Sequence, residues 1–455
     1  LEWPIIVYNP LLNTSSTSVR TLLVSITDPG SGVPTTAPGW PNLYWKKNYT
    51  GGWTAVTPSG VAGGVYSFNF GSGVTLNDTV YYYIVAQDLA SPPNVGAYPS
   101  NGAGGFTSNP PAASIPPTTP TRYVITNIPL SGNYNIGTDG NYSTLTAAIT
   151  DLNLRGVSSA VNFILTDDAY SINETFPLEI KINNVSKPTI TNTVTIKPNS
   201  GMFPFIQGAV ASSAILKILE SFVRIDGSNS GGTDRSLTIN NTSTDHPYGV
   251  HIGSNGSIPI TGVSIINCNI TNGANYSTPN YGVIISDGEF PGIEGYFNNI
   301  TIQNNRLQKS FYGIYCTAAV SPGNGNGLLI TSNNLNSTGT NAIHERGIYL
   351  EGIDGAVVSN NVVGNLGGND AGSPTGIWYG PGTINSSMTN NLIGPMTEST
   401  GGGTPRGIAV SSGVTNSNIT VSGNELFNFS TSYGGAMTAL YVYGTTTGVI
   451  IEKNK

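Results

Sequence analysis

Two short motifs alternate along the last two thirds of the chain, and both return at intervals of about 31 residues. The first motif reads aliphatic-x-x-Asn-x-aliphatic, as in Ile302/Asn305/Leu307. The second reads Gly-aliphatic-x, as in Gly313-Ile314-Tyr315. Because the two motifs interleave at one shared period, each period is predicted to form one coil of a right-handed parallel β-helix, with loops between its strands.

The asparagines of the first motif are predicted to stack into a ladder at a bend of the coil. Equivalent residues of successive coils lie one inter-strand distance apart, roughly 4.8 Å. Side-chain amides at that spacing can bond the coils above and below, and Asn also tolerates the left-handed backbone of a sharp bend. Cys268 takes the Asn place in one copy. The predicted ladder consists of Asn240, Asn305, Asn333, Asn360, Asn390, Asn424 and Asn454.

The second motif predicts an inner aliphatic column and an outer, partly aromatic one. If the aliphatic residue of each copy points inward, the next residue points outward. The outward column then contains His251, Ile284, Tyr315, Tyr349, Trp378, Ala409 and Tyr441. A second outward line contains Tyr248, Tyr281 and Tyr312. Three interpretations stay open: rings that stack to stabilise the sheet, a surface for a protein partner, and stacking on sugar rings.

The first part of the chain has a different pattern. Residues 1–106 contain short runs rich in β-branched and aromatic residues, such as VRTLLVSITD (19–28) and VYYYIVAQD (80–88), separated by Gly- and Pro-containing turns. This pattern predicts an immunoglobulin- or fibronectin-like β-sandwich. Residues 107–121 are Pro-rich and are predicted to be an extended linker, so that the β-helix occupies 122–455.

One helix is predicted, at about 144–155. Leu145, Ala148, Ile149 and Leu152 share one helical face, Ser143 is the expected N-cap, and Gly156 can end the helix. Because it comes immediately before the long series of strands, we expect it to cap the first coil. The predicted fold class is therefore all-β, a sandwich followed by a parallel β-helix with a short capping helix.

The composition bears on location and partners. Only 9% of the residues are charged and the net charge is −7, with no basic cluster. Nucleic-acid binding depends on neutralising phosphates, so this balance argues against it. No stretch approaches the length of a membrane helix. A surface rich in hydroxyl and amide groups is usual in proteins that work outside the cell, and we expect an extracellular or cell-surface location.

Several segments resemble bacterial cell-surface proteins. NTSSTSVRTLLVSITDPGSGVP and VYYYIVAQD resemble their immunoglobulin-like module. YNIGTDGNYSTLTAAITDLNLRG and DGSNSGGTDRSLTI look like the pectate-lyase-like right-handed β-helix region that commonly follows it. The resemblance implies a bacterial, secreted, often multi-domain protein of this fold, and it implies no reaction.

The chain lacks the motifs of the β-helix pectin hydrolases. Pectin hydrolases of this fold have Gly-His-Gly and Arg-Ile-Lys motifs, and neither occurs here. The best polar group is His344-Glu345-Arg346, followed by Glu351. A His beside a carboxylate can act as an acid/base pair. The alternative is an ordinary loop, since adjacent strand residues point to opposite faces.

No cofactor is predicted, although two acidic loops are candidates for a structural Ca²⁺. They are Asp287-Gly-Glu289 with Glu294, and Asp226-Gly-Ser-Asn229 with Asp234. Turn chemistry explains both sequences without a metal. Cys268 and Cys316 have no metal-binding spacing, and free thiols are favoured over a disulfide between them.

The sequence favours an extracellular structural or adhesive protein, such as a filament or surface-layer subunit, without catalytic activity. The rival is a polysaccharide-binding or polysaccharide-degrading β-helix protein. The last residues, GVIIEKNK, begin another ladder copy, and self-association that covers this coil is one expectation. The expected binding residues are Tyr315, Tyr349, Trp378, His344, Glu345 and Arg346. Other cell-surface proteins or a glycan are the alternative partners.

Overall fold

The computed structural model describes most of the chain and divides it into two compact units. The described residues are 3–183, 186–254, 258–276, 280–288, 293–366, 373–398, 403–431 and 436–455. The first unit takes its residues from Leu1–Leu130, Tyr134–Gly156 and Asn183–Ser186, and the second from Ser131–Asn133, Val157–Ile182 and Lys187–Lys455.

Short antiparallel strands form the first unit. Its strands are β1 (Ile5–Val7), β2 (Arg20–Thr27), β3 (Asn42–Lys47), β4 (Thr54–Val56), β5 (Gly60–Ala62), β6 (Val65–Phe70), β7 (Thr79–Gln87), β8 (Val95–Tyr98), β9 (Gly104–Thr107), β10 (Ala112–Ile115) and β11 (Thr121–Val124). One sheet has the order β1-β2-β6-β5, and another has the order β11-β7-β3-β4 with β8 also paired to β7. Alternating residues of both sheets, such as Leu22 and Phe68 of the first and Leu43 and Tyr82 of the second, are buried in one core. The predicted antiparallel β module is confirmed.

The Pro-rich segment differs from the prediction. Residues 107–121, expected to be an extended linker, contain β10, which pairs with β9 as a hairpin. β11 begins at Thr121 and pairs with β7, so that Tyr123 is fully buried. Prolines tend to occupy the ends and edges of sheets, and here they lie between short edge strands instead of forming a spacer.

The helix α1 (Leu145–Arg155) belongs to the first unit. Its predicted apolar face is buried, and Gly156 ends it with a φ of 67°. The N-cap is Thr144 and not the expected Ser143, because the Thr144 hydroxyl accepts the backbone N–H of Ala147 at 3.1 Å.

A buried polar network holds α1 within this unit. The Asp151 carboxylate accepts hydrogen bonds from the hydroxyls of Thr14 and Tyr142, both at 2.6 Å. The guanidinium of Arg155 lies 2.9 Å from the same carboxylate and donates to the carbonyl of Ile128 at 2.7 Å. Burial, and then the Asp151 charge, raises the pKa of Tyr142. The helix is therefore fixed by a satisfied ion pair as well as by its apolar face.

Parallel strands build the second unit. β12 (Leu130–Ile136) contributes only Ser131–Asn133 to this unit. The parallel strands are β13 (Val157–Leu165), β14 (Ala169–Tyr170), β15 (Leu178–Ile180), β16 (Val194–Pro198), β17 (Phe205–Gly208), β18 (Ala214–Ile218), β19 (Val223–Asp226), β20 (Leu237–Asn241), β21 (Tyr248–Ile252), β22 (Ile260–Thr261), β23 (Ser264–Ile266), β24 (Cys268–Asn272), β25 (Tyr281–Ile285), β26 (Phe297–Asn298), β27 (Thr301–Gln303) and β28 (Arg306–Gln308). They continue as β29 (Tyr312–Thr317), β30 (Leu329–Thr331), β31 (Asn334–Leu335), β32 (Arg346–Glu351), β33 (Val357–Ser359), β34 (Val362–Val363), β35 (Thr375–Tyr379), β36 (Ser387–Thr389), β37 (Leu392–Ile393), β38 (Met396–Glu398), β39 (Arg406–Val410), β40 (Ile419–Ser422), β41 (Glu425–Leu426), β42 (Phe429–Thr431), β43 (Thr438–Val442) and β44 (Val449–Glu452). A 3₁₀ turn spans Gly339–Asn341.

Three long sheets run along this solenoid. The first sheet has the order β12-β13-β16-β19-β23-β27-β30-β33-β36-β40-β44. The second has the order β14-β17-β20-β24-β28-β31-β34-β37-β41, and the third β15-β18-β21-β25-β29-β32-β35-β39-β43. Among the described residues, nine coils contribute one strand to each of the three sheets, and β12 and β44 extend the first sheet at its two ends. This arrangement confirms the predicted parallel β-helix.

The inner column of the third sheet keeps one register over seven coils. Val250 pairs with Val283, and the register continues through Ile314, Ile348, Ile377, Ile408 and Leu440. These side chains are fully buried as far as Ile408. Like side chains therefore lie over like, as the second motif predicts.

The glycine of the second motif is required by close approach between coils. A Cβ on Gly347 would lie 2.5 Å from the carbonyl oxygen of Gly376 and 2.3 Å from Val363. A Cβ on Gly313 or Gly376 would likewise lie too close to the carbonyl oxygen of the motif glycine in the next coil. A side chain at this position would push successive coils apart, which explains why the motif repeats a glycine.

Candidate functional site

A continuous ladder of asparagine side chains runs through the solenoid. The Oδ1 of Asn333 accepts the backbone N–H of Asn305 at 2.9 Å and the side-chain amide of Asn305 at 3.1 Å. The Nδ2 of Asn333 donates to the carbonyl of Ile302 at 2.8 Å. The same three bonds recur in each following coil, through Asn361, Asn391, Asn424 and Asn454.

The ladder differs from the predicted set at three positions. It passes through Asn361 and Asn391, one residue after the expected Asn360 and Asn390. The segment VVSNNVV fits the six-residue motif in either of two frames, and Val358, not Val357, is the buried residue. Asn240 lies outside the ladder, where its amide donates to the side chain of Gln207 at 2.7 Å. Asn305, Asn333, Asn424 and Asn454 lie where the motif places them.

The residue before each ladder asparagine adopts the left-handed backbone conformation that makes the bend. Asn360 has a φ of 57° and Asn390 a φ of 56°. Asn304, Ser332, Gly423 and Lys453 occupy the same place with positive φ. Two adjacent residues thus divide the two tasks that one asparagine was expected to perform, since the first makes the turn and the second bonds the neighbouring coil.

Cys268 takes the ladder position of its coil. Its backbone N–H donates to the Oδ1 of Asn305 at 2.9 Å. Cys268 and Cys316 are both buried free thiols, and burial raises the pKa of each well above its ordinary value. They make no disulfide and are shielded from reaction by burial.

The outward column of the third sheet is in register but largely buried. Ile284, Tyr315, Tyr349 and Trp378 follow one another coil by coil. The line before each glycine is also in register, from Tyr248 through Tyr281 and Tyr312 to Arg346. The tyrosines of the two lines pack together in one cluster, with Tyr312 and Trp378 partly exposed at its margin.

Ring contacts run continuously along the column. The ring centroids of Tyr315 and Tyr349 lie 4.8 Å apart in a stacked arrangement, and those of Tyr349 and Trp378 lie 5.4 Å apart, edge to face. Tyr281 contacts both Tyr312 and Tyr315, at 5.4 and 5.2 Å. Most of the aromatic area is used in contacts between coils, which is the stacking interpretation of this column.

Arg346 covers the exposed margin of the cluster. Its guanidinium lies 4.6 Å from the ring centroid of Trp378 and 5.1 Å from those of Tyr312 and Tyr349. Its Nε lies 3.3 Å from a carboxylate oxygen of Glu345, and 21% of the Arg346 side chain is exposed. Such contacts hold the guanidinium in place while leaving part of it open to solvent.

A second copy of this arrangement lies two coils further on. Arg406 occupies the same register as Arg346, with Thr375 between them. Its guanidinium lies 5.1 Å from the ring centroid of Tyr441, which is 36% exposed. We call the two arginines and the rings that they contact the arginine–aromatic stripe, defined as Tyr312, Arg346, Tyr349, Trp378, Arg406 and Tyr441.

Burial changes the acidity of the tyrosines in this region. It raises the pKa of Tyr312 to about 12, with the charge of Arg346 acting in the opposite direction. Burial also raises the pKa of Tyr349, and the hydrogen bond that its hydroxyl donates to Glu351 at 2.7 Å adds to this effect. These phenols therefore remain neutral donors at ordinary pH.

His344 and Glu345 have different neighbours among the described contacts. The His344 ring stacks on Phe311 with centroids 4.8 Å apart, and His344 is buried. Glu345 lies beside Arg346 instead. Neighbours in sequence thus contact different groups here. The Arg346 guanidinium lies over the rings of Tyr349 and Trp378, and the His344 ring stacks on Phe311.

The two acidic loops have internal partners for their carboxylates. Burial raises the pKa of Asp234, but hydroxyl donors from Ser230, Ser236 and Ser228 outweigh this and hold the pKa below its ordinary value. In the other loop Ser254 donates to Asp287, while Glu289 lies outside the described residues. Within the described ranges, no group of three or more His, Cys, Asp or Glu residues is arranged to hold a metal ion.

Sequence reasoning missed Arg406 and the two ladder residues Asn361 and Asn391. A signal for Arg406 was present, because Arg-Gly-Ile occurs at both Arg346 and Arg406 at the start of the second motif. The Gly-, Ser- and Thr-rich segments 364–375 and 394–406 lie only partly within the described residues.

The fold and this site define a parallel β-solenoid protein with an antiparallel β module at its N-terminal side. Comparison with protein-family models and with curated proteins finds no match for the chain. In the part of the chain that the structure describes, no helix has the length and apolar character needed to cross a membrane.

Proposed function

We propose that this protein is an extracellular structural or adhesive protein without catalytic activity, of the bacterial cell-surface type that its sequence resembles. The observation that supports the proposal most is the continuous ladder from Asn305 to Asn454. Buried polar side chains bond coil to coil, and the tyrosine column outside stacks in the same direction. A solenoid whose coils are bonded to their neighbours in this way is expected to be stiff, so that it can hold a binding surface in a fixed position.

The strongest polar cluster also supports a non-catalytic role. Glycoside hydrolysis by two carboxyl groups requires them to face each other across a cleft. Glu345 is instead placed beside Arg346, and Glu351 accepts the hydroxyl of Tyr349. Both carboxylates support the stripe, which presents Arg346 and Trp378 at its margin.

A polysaccharide-binding role is the second candidate, and the stripe favours it. Trp378 and Tyr312 are partly exposed, and rings of this kind stack on sugars while tolerating water. Contact with other cell-surface proteins or with further copies of the chain, as in a filament, remains part of the adhesive proposal.

Enzyme assays distinguish a non-catalytic protein from a polysaccharide-degrading enzyme. The full chain is incubated with a panel of plant and bacterial polysaccharides, and reducing ends and unsaturated products are measured. The expected result is no turnover above that of a heat-inactivated sample. Turnover that disappears in Glu345→Gln or His344→Ala, with folding retained by circular dichroism, would overturn the proposal. Electron microscopy of the native material tests the filament form separately.

A further inference from the structure

A line of paired aromatic rings leads from a partly exposed indole into the buried tyrosine cluster. The ring centroid of Trp378, at the margin of the cluster, lies 5.4 Å from that of the buried Tyr349. Tyr349 stacks on Tyr315 at 4.8 Å, and Tyr315 lies 5.2 Å from Tyr281. These are the separations of directly paired rings. Because electron transfer falls off steeply with distance, such a line can carry an electron from a buried phenol to the indole.

Tyr349 has an acceptor for its phenol proton already in place. Its hydroxyl donates to a carboxylate oxygen of Glu351 at 2.7 Å. Removing an electron from a phenol that keeps its proton leaves a cation in a buried site, which is costly. A carboxylate within hydrogen-bond reach can take the proton as the electron leaves, so that the oxidised residue is a neutral radical. Tyr281 is the contrast, since its buried hydroxyl has no hydrogen-bond partner in the described structure.

The surroundings of Trp378 disfavour a positive charge on its ring. The guanidinium of Arg346 lies 4.6 Å from the ring centroid, where it repels a radical cation. The indole N–H donates to the hydroxyl of Ser411 at 2.8 Å, and a hydroxyl is a poor base, so an oxidised indole keeps its proton. Oxidised Trp378 is therefore a strong oxidant. The neutral radical of Tyr349 avoids the same repulsion, and both differences drive the electron from Tyr349 to Trp378.

We propose that Trp378, Tyr349 and Glu351 form a proton-coupled redox relay, which takes oxidising equivalents from the surface and holds them as a neutral radical on Tyr349. A one-electron oxidant removes one electron from Trp378 and leaves an indole radical cation. Tyr349 then gives one electron to Trp378 and its phenol proton to Glu351. The products are neutral Trp378, the phenoxyl radical of Tyr349 and protonated Glu351.

The relay is reset from outside the protein. A one-electron reductant of the ascorbate or thiol class returns an electron to the phenoxyl radical, and the proton moves back from Glu351 to Tyr349. The radical waits among buried rings, where it is kept away from most other oxidisable groups. This activity goes beyond the adhesive role proposed above and does not depend on it.

Pulse radiolysis of the full chain with the azide radical tests the relay. The azide radical takes one electron from an indole and becomes the azide anion. Indole and phenoxyl radicals absorb at different wavelengths, so the decay of the first and the growth of the second are followed separately. We expect a phase of phenoxyl growth that is lost in Trp378→Phe and whose rate constant does not depend on protein concentration. Trp3→Phe, which removes an exposed indole of the first unit, is the control and should keep this phase.

Two tyrosine variants locate the radical. Tyr349→Phe keeps the ring and removes the phenol, and it is expected to remove most of the Trp378-dependent phase. Tyr281→Phe changes a phenol of the same cluster that lacks a proton acceptor, and it should leave the phase unchanged. Circular dichroism checks that each variant is folded. An unchanged phase in Tyr349→Phe, or phenoxyl growth with no part that depends on Trp378, would overturn the proposal.

The role of Glu351 has its own test. Glu351→Gln keeps a hydrogen-bond acceptor beside Tyr349 but removes the base, and it is expected to slow the phase by about tenfold or more. The parent should also react more slowly in deuterated water, because a proton moves with the electron. A merely structural role of Glu351 would produce no such solvent effect. Equal rates in the parent and Glu351→Gln, in ordinary and in deuterated water, would rule out proton transfer to Glu351.

Discussion

The side-chain oxygen of Asn333 binds Asn305 twice, at its backbone N–H and at its side-chain amide, across two successive coils. Asn333 is fully buried, so these bonds are made away from solvent. The ladder is thus an interaction between coils and not a property of one bend.

Replacing Asn333 with Ala is expected to lower the free energy of unfolding by about 3 kcal/mol, because a buried donor left without a partner costs about 1–3 kcal/mol. Urea denaturation followed by circular dichroism measures the change. The control is Asn240→Ala, which removes an asparagine of the same sequence motif that lies outside the ladder. Equal losses in the two variants would contradict the structural assignment of the ladder.

The neighbouring pair Asn360 and Asn361 separates the two roles at the bend. Asn360→Gly is expected to change the unfolding free energy by less than about 1 kcal/mol, since glycine adopts positive φ readily. Asn361→Ala removes the bonds to Asn333 and to the carbonyl of Ile330, and is expected to cost about 3 kcal/mol. The same denaturation experiment ranks the two variants, and the reverse order would show that the ladder passes through Asn360.

The ion pair between Asp151 and Arg155 is expected to dominate the stability of the helix region. Breaking a buried pair by removing one partner costs about 3–5 kcal/mol. Arg155→Met is therefore predicted to lower the thermal midpoint of the first unit strongly. Arg122→Met, at an exposed position of β11, should leave the midpoint nearly unchanged. A double variant with Asp151→Asn tests coupling, since strictly additive losses would rule out a direct interaction.

Tyr281→Phe is expected to favour the folded state more strongly at alkaline pH than at neutral pH. The hydroxyl of Tyr281 is buried and has no hydrogen-bond partner in the described structure, so Tyr281→Phe is expected to be neutral or stabilising near pH 7. Burial raises the pKa of Tyr281. The folded state therefore keeps the phenol proton at pH values where the unfolded chain has lost it, and stability falls as pH rises above about 10.

Urea denaturation between pH 8 and pH 11 measures this effect. The parent protein should lose stability with rising pH, and Tyr281→Phe should reduce that loss. Tyr276→Phe, which changes an exposed tyrosine of the same solenoid, is the control and should leave the slope unchanged. An unaltered slope in Tyr281→Phe would contradict the raised pKa of Tyr281.

The fold could be predicted from the sequence because the spacing of the repeated residues determines which side chains stack. A repeated glycine and a repeated aliphatic residue fix which side chains stack, and Val250 to Leu440 follow that register. The frame of the ladder was ambiguous at Asn360 and Asn361, since both asparagines fit one motif and only burial of Val358 distinguishes them.

The stripe was only partly predictable for a different reason. Spacing placed Tyr315, Tyr349 and Trp378 in one line, but it could not show that Arg346 turns toward the ring of the next coil. Side-chain direction depends on packing against neighbours that are about 30 residues away in sequence. The same limit applies to Asp151, whose partner Thr14 lies far along the chain.

The asparagine ladder has a direction. Each asparagine fastens groups of the coil that precedes it in the chain, as Asn333 does for Asn305 and Ile302. The ladder bonds of each coil are therefore complete only when the coil that follows it in the chain is in place. Folding is expected to add coils from the N-terminal to the C-terminal side, with each new coil completing the ladder bonds of the coil before it.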